Sequence, residues 1–528
     1  MRFDCGDNQT EFREGDPVIL HFGDPFEPIC KAHWAGDGLD LEGNEYIDLV
    51  VAESSAENID NSSGVFTIDA GFFDLSSQLL RALDEMGGSE RGRSRILPLF
   101  SGNAEVEGLN PYEYEDAANH AAEAGYNSTQ EEAVGIGSGC NWCALIQGPP
   151  GTGKTRVLAQ IARERINRGE RILVTACTHR AIDEALNKVK AINPECDRIA
   201  KVSDMGTQLN DGIPLYRTFS DCNFDDSLEG FVIGATPYCA FSSRLKQVEF
   251  DCVIIDEASQ MTLPLAVMAM LRADKYVVIG DEQQLPPVIL SKSSFEARNY
   301  GLFQCLGGVS VREVLNKTYR MNREICEWVS REFYFGELEP RESCSDKKLE
   351  LSGQARRGWL SEVMRPDKSI VWVPTQTKLT RHCSVEEADL VNQLMEELHR
   401  RGYAINDVGI ITPFRRQARL IRRRLRHNRI WDPAEIQDVV IDTVERMQGQ
   451  ERGVIILSIA AADLGFLDSI QEFIYSPSRL NVIVSRARVK VIILAANSFL
   501  EVKPFSDQVS DALAHWLNLR NSSHIVEI

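Results

Sequence analysis

The chain has 528 residues, 26% of them charged and 43% apolar, and a formal charge of -21. That is the composition of a globular protein, and its length suits roughly three or four domains at ~150 residues each. The acidic balance excludes whole-body nucleic-acid binding, so any contact with phosphates must be local, in a groove that overcomes the global field. No run of about 18 apolar residues offers a membrane span. Met1–Thr10 is polar and acidic, without the apolar core of a signal peptide. The 13 cysteines then read as reduced thiols. The expectation is a cytoplasmic protein, or a nuclear one in a eukaryote, with no membrane partner.

Taken in order, the first 70 or so residues predict short strands at 17–22, 46–51 and 65–68. Turn residues separate them at Gly36-Asp37-Gly38, Gly43-Asn44 and Asn61-Ser62-Ser63-Gly64. This spacing suggests a small barrel or a twisted sheet. Asp74 reads as the cap of a helix reaching Met86, Ser89 to Arg95 as a polar linker, and 105–123 as acidic surface. From Tyr126 strands and helices alternate. Strands are predicted at 144–147, 171–176, 231–236, 252–257 and 276–281, with a polar excursion at 203–229. A second α/β half has strands at 370–373, 407–412, 439–443, 453–458 and 489–494, and helices at 384–401 and 414–426. Near-continuous apolar strands ending in polar residues predict parallel sheets with function at their carboxyl edges.

Gly148-Pro149-Pro150-Gly151-Thr152-Gly153-Lys154-Thr155 fits the phosphate-loop pattern between a strand and a helix. This arrangement aims backbone N–H groups and a helix N-terminus at a triphosphate. Lys154 should reach the β- and γ-phosphates, and the Thr155 hydroxyl should ligate Mg²⁺. Asp256, ending a buried strand, would hold Mg²⁺ directly or through water, and Glu257 would orient the attacking water. A neutral amide in Gly280–Pro287, after the next strand, suits a sensor of the γ-phosphate. Arg320 and Arg486 suit cations reaching across a cleft to the transferring phosphoryl group. No second phosphate loop appears, so the second half must contribute something other than a nucleotide cradle.

Metal sites are poorly supported. Cys140-Asn141-Trp142-Cys143 is a lone pair, as is Cys30 with His33, and zinc needs four ligands. The arginine-rich run from Arg415 to Arg429 reads first as a solvated helix balancing an acidic protein. The alternative is a phosphate-contacting edge beside Thr412.

The ordered set Asn127–Gln130, Gly148–Thr155, Asp256-Glu257-Ala258-Ser259-Gln260, Gly280–Pro287, Tyr319-Arg320-Met321, Thr412-Pro413-Phe414 with Gln417, Gln448-Gly449-Gln450-Glu451, and Leu480-Asn481-Val482 followed by Ser485-Arg486-Ala487-Arg488 resembles a superfamily 1 helicase. The likeness is to the branch of the RNA-surveillance helicase Upf1 and the Dna2-type helicases, over roughly residues 124 to 500. It departs at Tyr126, where the family usually has Leu, and at Thr318, which replaces a common Gln. After Ser458 it lacks an Arg often found there. No nuclease carboxylate cluster or iron–sulfur cysteine set is evident.

The resemblance implies an α/β fold of two RecA-like parallel-sheet motor domains, at 111–300 and 301–528, with a small β-barrel-like domain and helical linker at 1–110. It implies ATP and Mg²⁺ as cofactors. Gln130 would read the adenine edge, Tyr319 would stack on the base, and Glu451 would lie near the ribose or phosphates. Gly148 to Thr155, with Arg156, would hold the phosphates. Lys154, Asp256, Glu257, Gln284, Arg320 and Arg486 would be catalytic, with Thr155 and Asp256 on the metal. Single-stranded DNA or RNA would cross Thr178, Thr236, Pro237, Thr412, Pro413, Thr443 and Val444, largely through backbone. The implied activity is that of a monomeric ATP-dependent helicase or translocase moving 5′→3′, with protein partners or further domains for loading. The alternative is a strand-stimulated ATPase that remodels protein–nucleic acid complexes without unwinding duplexes.

Overall fold

A computed structural model of the protein describes residues 1–5, 12, 17–24, 28–39, 45–51, 59, 65–71, 76–101, 108–203, 212–222, 224, 229–287, 301–306, 308–309, 311–354, 356–428, 430–431, 435–436, 438–447 and 449–528. They divide into two compact units, one built on Met1–Ser77 and one on Gln78–Ile430 with Glu435–Ile528.

The first unit is an antiparallel sheet of β1 (Arg2–Cys5), β2 (Pro17–His21), β3 (Cys30–Leu39), β4 (Glu45–Val51) and β5 (Thr67–Ala70), in the order β1-β4-β3-β2-β5. This is half of a barrel. Val18 and Leu20, Ala32 and Trp34, and Ile47 and Leu49 alternate onto one buried face, as the two-residue period of a strand requires. Gly36-Asp37-Gly38 is not a turn. It lies inside β3, where a register shift between Trp34 and Gly36 leaves Ala35 as the extra residue of a bulge and Gly36 pairs with Asp48. Cys30 shares the buried face with Trp34, whereas His33, three residues on, points the other way. The pair therefore cannot share an ion. The turns expected at 43–44 and 61–64, and the cap expected at Asp74, lie outside the described residues.

The second unit holds two parallel sheets. The first contains β6 (Cys143–Gln147), β7 (Arg171–Thr175), β8 (Ile199–Val202), β9 (Leu215–Tyr216), β10 (Phe231–Gly234), β11 (Cys252–Ile255), β12 (Lys275–Gly280) and β13 (Arg312–Val314). Its order is β13-β6-β12-β11-β7-β10-β8-β9. Both faces are covered. Leu145, Leu173, Ile233, Val253 and Val278 enter one core, and Ala144, Ile146, Ile172, Val174, Ile254 and Val277 enter the other. That is why these strands read as continuous apolar runs.

Three details differ from the sequence reading. The excursion at 203–229 contains β9, which pairs with β8. β13 pairs with β6, so the first sheet continues past residue 300. The supposed linker at 89–95 is helical, running into a π-helical turn at Gly92–Ile96. It is anchored: the Arg91 side chain donates to Asp274, Glu249 and the Leu271 carbonyl, and the backbone carbonyl of Arg95 accepts from Trp142 Nε1.

A two-stranded parallel ladder follows, β14 (Lys317–Thr318) with β15 (Glu339–Pro340). The second large sheet has β16 (Ile370–Thr375), β17 (Val408–Ile411), β18 (Val440–Asp442), β19 (Arg452–Ser458), β20 (Ala487–Ala496) and β21 (His524–Ile525), in the order β18-β17-β19-β20-β16-β21. All its pairings are parallel. In each lobe, loops leaving the strand carboxyl ends collect along one edge.

Candidate active site

The loop after β6 turns through two left-handed glycines, Gly151 (φ 75°) and Gly153 (φ 85°), and Gly153 caps the helix Lys154–Asn167. A Cβ on Gly148 would stand 2.2 Å from Lys154 Cγ, and one on Gly151 would stand 2.5 Å from Thr318 Oγ1. The cradle is thus shaped by the absence of side chains. Lys154 Nζ donates to the Gly148 carbonyl at 2.6 Å, and Thr152 Oγ1 to the Pro149 carbonyl at 2.8 Å. Thr318, which departs from the Gln common in the resembled family, donates its hydroxyl to the Pro150 carbonyl at 2.9 Å, while Tyr319 N donates to the Gly151 carbonyl at 2.8 Å. The second lobe's leading segment is therefore clamped to the phosphate loop.

Asn127 caps the helix Ser128–Gly139 in a capping box with Gln130. Gln130 is buried. Its amide donates to the Thr152 carbonyl at 2.8 Å, and its oxygen accepts from Asn127 N and from the Tyr319 hydroxyl, each at 3.2 Å. Asn127 Nδ2 and Arg341 Nη1 each donate to the same hydroxyl at 2.9 Å. Gln130 and Tyr319 therefore meet, and Arg341, which sequence reasoning overlooked, joins them. Arg156 turns away from the phosphate loop and lies 3.9 Å over the Tyr126 ring. Tyr126 in turn donates to the Arg156 carbonyl at 3.2 Å, which gives the departure from Leu a local purpose.

Asp256 and Glu257 follow β11, beside β7 and β12. Burial first, and then the adjoining Glu257 charge, push the Asp256 carboxyl up to about 7, against Lys154. Glu257 sits at φ 50°, a left-handed conformation that costs a non-glycine residue roughly 1–3 kcal/mol and collects at functional sites.

After β12, Asp281 is buried and gathers three donors: Tyr334 Oη at 2.6 Å, Gln284 Nε2 at 2.8 Å and Gln283 N at 3.2 Å. Burial raises its pKa, against Lys154 and these donors. Asn481 Nδ2, from the helix Pro477–Ser485, donates to the Tyr334 hydroxyl at 2.8 Å and the Gln283 carbonyl at 2.9 Å. Arg486 caps that helix and donates to Gln284 Oε1 at 3.1 Å. Burial, then the Arg320 charge, push the Arg486 guanidinium down to about 9. Arg320 donates to Glu451 at 2.6 Å and to the Ser485 carbonyl at 3.0 Å. Burial opposes ionisation of Glu451, but Arg320 and Arg488 outweigh it and hold the carboxyl below its usual range. Gln448 of the same motif lies outside the described residues. Tyr334 and Asn481 are the residues of this relay to which sequence reasoning assigned no role. Tyr334 carries no local signal, whereas Asn481 lies inside a motif already singled out.

The residues present fit a magnesium nucleotide. The cradle is one that a Cβ would fill, two carboxylates adjoin it, and Thr175 Oγ1, Ser259 Oγ and Arg486 Nε are buried polar atoms with no hydrogen-bond partner among the described residues. Lys154 and the loop N–H groups would hold phosphates, and Thr155 with Asp256 would hold the cation. Such a cation supplies charge that relieves the Asp256–Glu257 repulsion and polarises phosphate oxygens.

The residues expected to touch a strand also lie at carboxyl edges. Thr178 and Thr236 follow β7 and β10 as helix caps, accepting from Ala181 N and Cys239 N. Pro237 opens the second of those helices. Thr412 and Pro413 follow β17, and Thr443 and Val444 follow β18. Thr412 and Val444 are buried, so what they can present is backbone. Among the arginines of the helix Arg415–His427, Arg422 donates to the Ile441 carbonyl and Arg424 pairs with Asp389. Cys140 and Cys143 are both buried, with Arg165 Nη2 on the Cys140 sulfur at 3.2 Å. They pack in the core.

Fold and site together define a two-lobed phosphate-loop nucleotide-binding protein with RecA-like sheets. Two AAA-domain family models match, one over residues 125–211 and 229–292 and the other over 299–498. The DNA replication ATP-dependent helicase/nuclease dna2 of Schizosaccharomyces pombe is 29% identical over 388 residues, covering 68% of this chain and 27% of that protein. The DNA replication ATP-dependent helicase/nuclease JHS1 of Arabidopsis thaliana is 30% identical over 384 residues, covering 68% of this chain and 28% of that one. A crystal structure of Arterivirus nonstructural protein 10 (helicase) aligns at 15% identity and a TM-score of 0.43, over 97% of this chain and 78% of that chain. These matches support a superfamily 1 helicase of the Upf1-like, Dna2-type branch. The chain spans about a quarter of the length of those two curated relatives and, among the described residues, has no helix long and apolar enough to cross a membrane.

Proposed function

We propose that this chain hydrolyses ATP with Mg²⁺ to move along single-stranded nucleic acid, 5′→3′ as its branch implies, and separates duplexes in its path. The observation that carries this reading is the contact of Arg486 with Gln284, which joins the second lobe to the end of β12 beside the phosphate loop. An arginine held there has a negative phosphoryl group to meet once a nucleotide enters. Lys154, Asp256 and Glu257 supply the cradle and the carboxylates. The strand crosses the carboxyl edges at Thr178, Thr236, Pro237, Thr412, Pro413, Thr443 and Val444, held mostly by backbone and therefore without sequence preference. Domain boundaries near residue 110 and just after β13, past the expected residue 300, a monomeric state and a cytoplasmic or nuclear location accompany the reading. So does loading by protein partners or further domains. That two relatives are DNA replication helicase/nucleases favours DNA as the track.

The test is ATP turnover with and without single-stranded DNA and RNA, beside Lys154→Ala. Stimulation by one polymer, abolished in the variant, is the expected result. Turnover indifferent to Lys154 refutes the site, and unwinding that prefers a 3′ overhang refutes the direction.

A further inference from the structure

We propose that His382, Phe414, Phe466 and Phe473 form a platform on which unpaired bases of a single strand stack. The proposal rests on the strand-tracking reading above and adds a site to it. The four rings come from three loops at one sheet edge. His382 lies in the connection after β16, Phe414 directly follows Thr412 and Pro413 after β17, and Phe466 and Phe473 lie on the helices Leu464–Ser469 and Gln471–Ile474 after β19. They are contiguous, with centroids 4.6 Å apart for His382–Phe466, 5.2 Å for His382–Phe414, 5.9 Å for Phe414–Phe466 and 6.2 Å for Phe414–Phe473. The rings are inclined to one another, by 34° for Phe414–Phe473 and 80° for His382–Phe414, and the Arg479 guanidinium, paired with Glu445 at 2.6 Å, lies 4.1 Å over the Phe473 ring.

Phe414 and Phe466 pack on their inner side against the second lobe's core, and the cluster reaches the surface at its rim. Phe473 is 36% exposed, Leu464 43% and Leu379, at the tip of the loop carrying His382, 81%. That loop is held in place. The Thr380 hydroxyl donates to the Ala460 carbonyl at 2.6 Å, and the Thr380 carbonyl accepts from Ala462 N and Asp463 N at 2.8 and 2.9 Å. The clamp fixes two residues in left-handed backbone, Leu379 (φ 55°) and Ala460 (φ 63°). Among the described residues the other non-glycine positions of this kind are Glu257, in the active site, and Phe335. Strain of this sort persists where surrounding structure enforces it, and it concentrates at ligand sites.

The position chooses the occupant. Phe414 is the next residue after the strand-facing Pro413, so the platform continues the nucleic-acid edge, and Lys378, Arg381 and Arg416 stand exposed around it. Of the nearby carboxylates, Asp463 is engaged by Phe466 N and Arg381, while Glu472 faces solvent. Aromatic rings bordered by cations accept any base, because every base has a π-face. A stacked base strengthens binding by on the order of 10- to 100-fold without reading sequence.

The experiment measures binding of fluorescent oligo-dT and oligo-rU, and of an abasic oligomer of equal length, to the full chain and to Phe473→Ala, Phe473→Trp and Leu379→Ala. Phe473→Ala should weaken binding to the base-containing strands by about tenfold and leave the abasic strand unaffected. The slope of affinity against salt should stay the same, because no phosphate contact is lost. Phe473→Trp should keep the affinity, and its added indole emission should be quenched by the strand. Equal melting temperatures would show that the variants fold. Unchanged affinity in Phe473→Ala, or an equal loss on the abasic strand, overturns the platform. A wild-type chain that binds none of the three oligomers overturns the strand-tracking reading itself.

Discussion

Arg486 donates to Gln284 Oε1 at 3.1 Å, and Gln284 in turn donates to Asp281 at 2.8 Å, so the second lobe grips the end of β12. The Arg486 charge is buried and repelled by Arg320, a costly arrangement unless an anion arrives to meet it. Replacing Arg486 by Ala should lower kcat for ATP by about 10³–10⁵, with a much smaller effect on KM. Steady-state kinetics of Arg486→Ala and Arg486→Lys decide this. A kcat within about tenfold of wild type in the Ala variant removes Arg486 from the reaction.

Tyr334 bridges the lobes through one hydroxyl, donating to Asp281 and accepting from Asn481. Tyr334→Phe leaves both partners buried and short of a bond, at a cost of about 1–3 kcal/mol. Urea denaturation should show that loss. Tyr334→Phe with the stability of wild type would mean the relay does not hold the lobes.

Gly151 combines a left-handed φ of 75° with a Cβ direction aimed at Thr318 Oγ1 and at Arg320 Cβ, 2.5 and 2.6 Å away. Gly151→Ala should distort the phosphate loop and push Arg320 aside together. Nucleotide binding by calorimetry should fall at least tenfold, on the order of 1.4 kcal/mol. Unaltered affinity would show that the loop adapts.

Arg341 is set beside the Tyr319 hydroxyl by its own backbone, since Arg341 N donates to the Thr318 carbonyl at 2.9 Å. With Tyr319 stacking on the base, Arg341→Ala should loosen that ring and raise KM for ATP several-fold while kcat holds. A fall in kcat at constant KM would point to a different role.

Glu387 lies buried in the second lobe, accepting from the Ser458 hydroxyl at 2.7 Å and from Ala460 N at 2.8 Å. Burial pushes its carboxyl up to about 7. The folded state thus keeps a proton that the unfolded chain releases near pH 4.3. Stability from this group is full below that pH and declines as pH rises to about 7, by up to about 3 kcal/mol. Glu387→Gln removes the decline, so its melting temperature relative to wild type should rise between pH 5 and pH 7, on the scale set by the two pKa values. A constant difference would show that Glu387 titrates as in water.

Much of the candidate site was legible because its parts are local. A phosphate loop needs glycines, a lysine and a hydroxyl at set spacing between a strand and a helix, and Gly148 to Thr155 meets that need within eight residues. Asp256 and Glu257 were legible because a buried strand ending in two carboxylates is itself a local pattern. The strand β3 was not legible, since Gly36 and Gly38 signal a turn wherever the partner strand that absorbs them is out of view. The helical stretch at 89–95 hid for a similar reason: Arg91 reads as solvated until Asp274 and Glu249 stand beside it.

By itself, then, the sequence determined most central strands of the two parallel sheets, the phosphate-loop motif, the carboxylate pair and the family resemblance, because each is written in short-range periodicity, backbone conformation or motif order. Tertiary structure alone decided which distant groups share a buried space. Arg486 meets Gln284 across 202 residues, and Tyr334 meets Asp281 across 53. Three separate loops gather the rings of His382, Phe414, Phe466 and Phe473 at one edge. Such pairings follow from the packing of sheets and helices around common cores, where burial makes each hydrogen bond and charge count, and no local repeat along the chain records them.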